Sequence, residues 1–258
     1  LTSTKAFGIV FFMIIKNKLS FAQGNAKLGK AIAILSLPAG YTCPSALHCL
    51  SFANRTTGKI TDGAHTQFRC YAATGEALFG VVRKSRWHNF TLLRGKTIEA
   101  MVGIINLSIP RKHTTHVRIH ASGDFFTQDY FDAWLKVARI NPAMTFYAYT
   151  KQLPLWIARK GQIPNNLHLV ASRGGVHDKL IGQHRLRSVR VVYTEKQAER
   201  LNLPIDHDDS HAWKSKRNFA LLLHGTQPAK SKAAKAWHII KTKGRGGYKA
   251  DYFKSYSK

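Results

Sequence analysis

Residues 116–151 read HVRIHASGDFFTQDYFDAWLKVARINPAMTFYAYTK, and this stretch decides the fold. HVRIHASGD (116–124) is an apolar strand that runs out into small and polar residues. Thr127 is placed to cap a helix and Asp129 to sit in its first turn. Tyr130, Trp134 and Ala138 then form one apolar stripe beside Phe131 and Leu135, and Asn141-Pro142 stops it. TFYAYTK (145–151) is a second apolar strand. A helix between two nearly continuous apolar strands is the pattern of a parallel pair covered by its crossover.

The pattern extends in both directions. AIAILSLPAG (31–40), LHLVASRGG (167–175), VRVVYT (189–194) and FALLLHG (219–225) read as further strands. Residues 75–106 read as helix interrupted near Gly95, and Thr194 with Gln197 fits a capping box. Residues 41–74 are a long connection that holds all three cysteines. Repeated alternation predicts an α/β fold with a parallel sheet, either an open or partial barrel or a doubly wound sheet. The expectation is a partial (β/α) barrel of about six parallel strands, a cysteine-bearing loop after the first, and a basic C-terminal tail. Chemistry then belongs at the carboxyl ends of the strands, where Cys43, His120 to Asp124, Thr150-Lys151 and Ser172-Arg173-Gly174-Gly175 fall. Three regions are expected: a segment 1–24, with the natural start at Met13 and residues 1–12 upstream of it; an α/β domain 25–225; and a basic extension 226–258.

Across 258 residues, 40 Lys+Arg oppose 13 Asp+Glu, a net charge of +27. That excess points to nucleic acid or a nucleotide as partner, because neutralising phosphates releases counterions. The 44% hydrophobic content excludes general disorder. AFGIVFFMII (6–15) is too short to span a bilayer, so no membrane association is expected. Three cysteines cannot pair off as disulfides and suit a reducing compartment, hence a cytoplasmic protein. The last 33 residues carry nine Lys/Arg against one Asp, and KGRGGYKADY (243–252) mixes charge with aromatics in a way that suits a phosphate backbone and stacked bases.

Cys43, Cys49 and Cys70 are spaced C-x5-C-x20-C, unlike paired zinc knuckles or a bacterial ferredoxin run. Thiolates suit an iron–sulfur cluster or zinc, the latter with His48 or His65 as fourth ligand, and inert buried thiols give the same spacing. A second constellation, DHDDSHAW, gathers Asp206, His207, Asp208, Asp209 and His211. It suits a divalent metal that activates water, the chemistry of a metal-dependent nuclease; the plainer reading is a turn whose Asp side chains cap amides and pair with Arg and Lys. His120 is either a member of that site or an interior histidine. A third reading is a non-catalytic nucleic-acid-binding protein whose main contact is the basic tail.

SLPAGYTCPSALHCLS, FRCYAAT, RWHNF, the stretch 118–151, LPIDHDDSHAW and FALLLHGTQPAKSKAAKAW together resemble a bacteriophage family, the gene product eighty-eight family, from about residue 24 onward. More weakly, the cysteine loop and strand ends are similar to radical S-adenosylmethionine (SAM) enzymes, which place three cluster cysteines after the first strand of a partial barrel. That resemblance implies a [4Fe–4S] cluster on Cys43, Cys49 and Cys70, whose open iron takes SAM. It implies that Ser122-Gly123-Asp124 stand where the family has Gly-Gly-Glu near the SAM amine, that Ser172 or Arg173 faces its ribose or carboxylate, and that Tyr71 packs near cluster or adenine. His120 and Asp124 are the catalytic candidates. The chain departs from the family's C-x3-C-x2-C spacing, has Asp for Glu, and has its aromatic after rather than before the last cysteine. The resulting expectation is a radical-SAM-like iron–sulfur protein of phage type that modifies nucleic acid or a nucleotide.

Overall fold

A computed structural model describes residues 18–25 and 27–242. Strands β1 (Ala22–Gln23) and β2 (Ile32–Ile34) are followed by a hairpin, β3 (Ser51–Ala53) and β4 (Ile60–Asp62). Helices α1 (Tyr71–Leu78), α2 (Gly80–Leu93) and α3 (Ile98–Ser108) come next. The chain then alternates: β5 (His116–Arg118), α4 (Gln128–Ile140), β6 (Thr145–Thr150), α5 (Leu153–Ile157), β7 (Leu167–Ser172), α6 (Lys179–Gln183), β8 (Ser188–Val192) and α7 (Glu195–Arg200). Helix α8 (His211–Lys214), strand β9 (Phe219–Leu222) and helix α9 (Lys232–Thr242) complete it.

The main sheet has seven strands in the order β1-β2-β5-β6-β7-β8-β9. Strand β1 pairs antiparallel at the edge, and every other pairing is parallel, with Val117 in register with Ala33 and Phe146. Strand order follows chain order from β2 to β9 without reversal, which sets aside the doubly wound alternative, since that arrangement needs a switch point. The hairpin β3–β4 stands apart and turns much of the 41–74 connection into defined structure.

Alternate residues divide the strands between two faces. Val117, Ile119, Phe146, Ala148 and Leu169 pack against Trp134, Leu135 and Met101 of α4 and α3. Ile32, Ile34, Tyr147, Val170, Val189 and Phe219 meet Leu28 and Ala212 on the other. Helix α4 forms as its sequence dictates: Thr127 Oγ1 accepts from the Tyr130 amide at 3.2 Å, and every residue of the predicted stripe is buried. The long helical stretch is three helices rather than one interrupted one. It begins at Tyr71, and residues 94–97 part α2 from α3 where Gly95 takes φ +67°, a conformation glycine adopts freely. The capping pair is present in modified form: Thr194 accepts from the Gln197 amide at 3.1 Å, while Gln197 Oε1 accepts from the Tyr193 amide at 2.8 Å.

Part of the predicted basic tail is folded. Ala233, Ala236 and Ile240 of α9 are buried with Leu223 against Phe68, Val191 and Tyr193. KGRGGYKADY, the apolar run 6–15 and Met13 lie outside the described residues. Among the described residues no helix is long and apolar enough to cross a membrane.

Candidate strand-end site

The segment after β2 is stitched across the carboxyl ends of the strands. The Thr42 and Cys43 amides close a turn by donating hydrogen bonds to the Pro38 and Gly40 carbonyls at 3.2 and 3.1 Å. Ala46 bridges to Gly175, and the Leu47 and His48 amides donate to the Gly174 carbonyl beyond β7 at 3.2 and 2.9 Å. Gly174, at φ +93°, leaves room for His48: a Cβ there would stand 3.1 Å from the histidine Cβ. Cys49 follows directly. Cys70 arrives from the far side of the hairpin as the N-cap residue of α1, its amide donating to Ser51 Oγ at 3.3 Å.

The three thiols are free and half-buried, and Cys49 bears on both Cys43 and Cys70. Burial pushes the Cys43 thiol well up, and Asp124, Cys70 and Cys49 push it further. Burial and then Cys49 raise Cys70 to about 11, against the α1 amides of Ala73 and Ala72 and the charge of Arg86. Thiols that crowd in this way resist becoming anions until a cation joins them. Among the described residues, no group of three or more His, Cys, Asp or Glu side chains is arranged to hold a metal ion.

Ser122-Gly123-Asp124 lie beside the thiols but are occupied. Ser122 Oγ donates to the Leu37 carbonyl at 2.8 Å. Gly123, at φ +86°, is packed face-on: a Cβ would stand 2.5 Å from Thr42 Oγ1 and 2.7 Å from Leu37 Cβ. Asp124 accepts from Thr150 Oγ1 at 2.6 Å and from the amides of Phe125 and Lys151, both at 2.8 Å. Burial nevertheless raises its carboxyl to about 6. These residues therefore tie the ends of β5 and β6 to the cysteine segment. Ser172 Oγ accepts from Lys151 Nζ at 2.6 Å, and Arg173 Nε donates to Ser188 Oγ at 3.1 Å.

Tyr71 spans the site. Its hydroxyl donates to the Ala121 carbonyl beyond β5 at 2.5 Å, and its ring lies 4.2 Å from that of His224, beyond β9. Glu76 is a further anchor, not singled out by the sequence reading. Its carboxylate, fully buried, accepts from the Ala39 amide and Arg86, both at 2.8 Å, and so holds α1 to α2 and to the β2 exit. Its only signal is a lone acid in the otherwise uncharged YAATGEAL.

The acidic loop between β8 and β9 is built as a structural turn. Asp209 is fully buried, φ +64°, and ion-paired to Lys27 at 2.5 Å and Arg118 at 2.6 Å. Burial raises its carboxyl, and Arg118 and Lys27 outweigh that and leave it below the usual range. Asp206 Oδ1 accepts from the Asp208 amide at 3.2 Å and lies 3.4 Å from His211 Nδ1; Asp208 Oδ1 accepts from the Ser210 amide at 3.0 Å. Asp208 and Asp209 thus point at amides and cations, as in the plainer of the two readings, while Asp206 Oδ2 is buried with no hydrogen-bond partner among the described residues. His207 is exposed at the loop's edge. His120 does not join this loop. It is buried, its Nε2 lies 3.1 Å from the Tyr130 hydroxyl, and burial followed by Arg118 lowers its pKa to about 3.

The fold and site define an α/β protein with a mostly parallel sheet and a thiol-bearing site where ligands of such sheets bind. The family profile described as Gene product 88 matches residues 15–241, and the chain belongs to that family. Relatives include the Gene 88 protein of Mycobacterium phage L5, 31% identical over 159 residues, and that of Mycobacterium phage D29, 30% identical over the same length. These alignments cover 58% of this chain and 59% of each relative, so the chain spans about six-tenths of the relatives' length. No solved structure matches the chain.

Proposed function

We propose that this is an iron–sulfur protein whose cluster is held by Cys43, Cys49 and Cys70 at the mouth of a partial barrel, and that it acts on nucleic acid or a nucleotide. The observation that carries the proposal is the convergence of three free thiols at one end of the sheet. Cys43 and Cys49 stand on the segment after β2 and Cys70 at the N-cap of α1, and, beyond burial and Asp124, both Cys70 and Cys49 push up the Cys43 thiol. A cationic core of iron and sulfide relieves that influence. When bound, the cluster supplies one-electron chemistry and, with only three protein ligands, an iron open to a small molecule. Curvature of the sheet is supported by Tyr71. Strands β5 and β9 are four places apart, roughly 19 Å along a flat sheet, yet one tyrosine side chain reaches both ends.

The radical-SAM part of the resemblance has no support from the relatives, which belong to the Gene product 88 family alone, and the unreversed strand order is merely compatible with it. It is opposed at Ser122-Gly123-Asp124, whose groups have partners within the chain and do not fit a SAM amine. The chain's own residues hold the thiols in place: Glu76 and Arg86 fix α1, while Asp124 and Thr42 fix the Cys43 turn. The test is anaerobic reconstitution of the wild type and of Cys43→Ala, Cys49→Ala and Cys70→Ala. The proposal predicts cluster absorbance in the wild type alone. Cluster retention in all three variants overturns it. Formation of 5′-deoxyadenosine from SAM under reduction would assign the open iron to SAM.

A further inference from the structure

The basic charge is not spread evenly over the fold. A trough on the β7–β8 side is built from three adjoining depressions, all bordered by Arg173. The first, about 660 Å³, has among the described residues only cations as charged lining, Arg185, Lys216 and Arg217 among them. The second, about 770 Å³, adds Arg190, Arg200 and Lys232 and one carboxylate, Asp178. Asp178 is already engaged, accepting from the Gly174 and Gly175 amides at 2.9 and 3.0 Å. Arg190, which also lines the small depression between the two, is exposed, as is Arg200. Among the described residues, none of Arg173, Arg190, Arg200 and Lys232 forms an ion pair. Four unpaired cations around one concavity repel each other unless an anion enters.

The trough also contains the means to hold a base. Phe68 and Tyr193 line its second depression, edge to face with centroids 6.3 Å apart. His48, next to Cys49, and Gly174 border the same depression, so it opens beside the cysteine segment. We infer that this trough binds a single strand of nucleic acid, its phosphates running past Arg173, Arg190 and Arg200 and a base lodging against Phe68 and Tyr193. A single strand can follow a concave trough and splay a base into it, whereas a duplex presents its phosphates on a stiff convex cylinder with its bases stacked inside. A free nucleotide fills one depression and leaves the cations of the other unmatched. The inference names the partner of the site proposed above, but binding itself needs no cluster.

The test is fluorescence anisotropy with labelled single-stranded DNA and RNA of one length, a duplex of the same length, and unlabelled mononucleotide as competitor. The proteins are the full chain, Arg190→Glu/Arg200→Glu, Phe68→Ala, and a control of equal charge change, Lys59→Glu/Lys96→Glu. Each is also measured with Cys49→Ala and Cys70→Ala to separate binding from cluster chemistry. The expected result is preference for single strands, a loss of about 10-fold or more for the trough charge variant, and a salt slope shallower by roughly 0.7 for each phosphate no longer neutralised. Phe68→Ala should weaken binding without altering that slope. The inference is overturned if the control pair weakens binding equally, if the duplex binds as well, or if mononucleotide competes at the strand's own affinity. Survival of binding in the cysteine variants with loss of cluster in the wild type would sink the iron–sulfur proposal and leave this one standing.

Discussion

Asp209→Asn separates the two readings of the acidic loop. The substitution keeps shape and tolerates φ +64°, because asparagine, like aspartate, is enriched in the left-handed region. It removes the charge that Arg118 and Lys27 share at 2.6 and 2.5 Å. The two side chains are almost equally covered, 10% and 11% exposed, but the flexible Lys27 stem can swing its ammonium to water, whereas the Arg118 guanidinium lies 5.3 Å from the Tyr149 ring centroid. One partner of a buried pair typically costs about 3–5 kcal/mol to remove, and with Lys27 able to escape we expect the lower end, about 3 kcal/mol. A domain with a total stability of about 5–15 kcal/mol shows this clearly in urea, where the midpoint should fall by roughly 1 M or more. Adding Arg118→Met should recover at least half of the loss, since the stranded charge is then gone. A destabilisation under about 1 kcal/mol, together with loss of a divalent-metal-dependent nuclease activity, would refute the structural reading and restore the metal site.

Three further outcomes follow from the same geometry. His120 is lowered to about 3 by burial and Arg118, while an unfolded histidine titrates near 6.5. The unfolded chain therefore takes up the extra proton first, and the stability that neutral His120 supplies is lost as pH falls from about 6.5 toward 3. The cost of His120→Gln in urea should be smaller at pH 5 than at pH 7 by about 2 kcal/mol, and an unchanged cost would count against the buried neutral ring. Gly123→Ala places a Cβ 2.5 Å from Thr42 Oγ1 at φ +86°, so it should destabilise by roughly 1–3 kcal/mol and lower cluster uptake by displacing the neighbouring Cys43 turn. Equal uptake would show that the turn does not position Cys43. Without metal, alkylation of Cys70 should be slow at neutral pH and accelerate steeply toward pH 11, and fast labelling at pH 7 would contradict the crowded thiols.

The parallel core was legible because its signals are periodic and redundant: apolar strands, Thr127 and Thr194 as caps, and Asn141-Pro142 as a stop. The edge strand Ala22–Gln23 and the hairpin Ser51–Ala53 with Ile60–Asp62 are too short for any period to register. In the site, sequence placed the three cysteines on one connection and Asp209 in a turn that pairs with cations, but gave only a lone acid for Glu76 and did not identify Lys27 and Arg118 as the partners of Asp209. Those partners lie 182 and 91 positions away, and only tertiary folding brings such pairs together. Ser122, Gly123 and Asp124 were legible as strand-end residues; their partners, Leu37, Thr42 and Thr150, were not. The Arg173 trough escaped for a related reason, since its cations come from the end of β7, the middle of β8 and the ends of α7 and α9.

The most direct measurement is iron, acid-labile sulfide and zinc content of protein purified and reconstituted without oxygen. Iron and sulfide in equal amounts, both lost when Cys70 is replaced, is the result this account predicts. Zinc in unit proportion with no sulfide, or no metal at all with three freely titrating thiols, would contradict it.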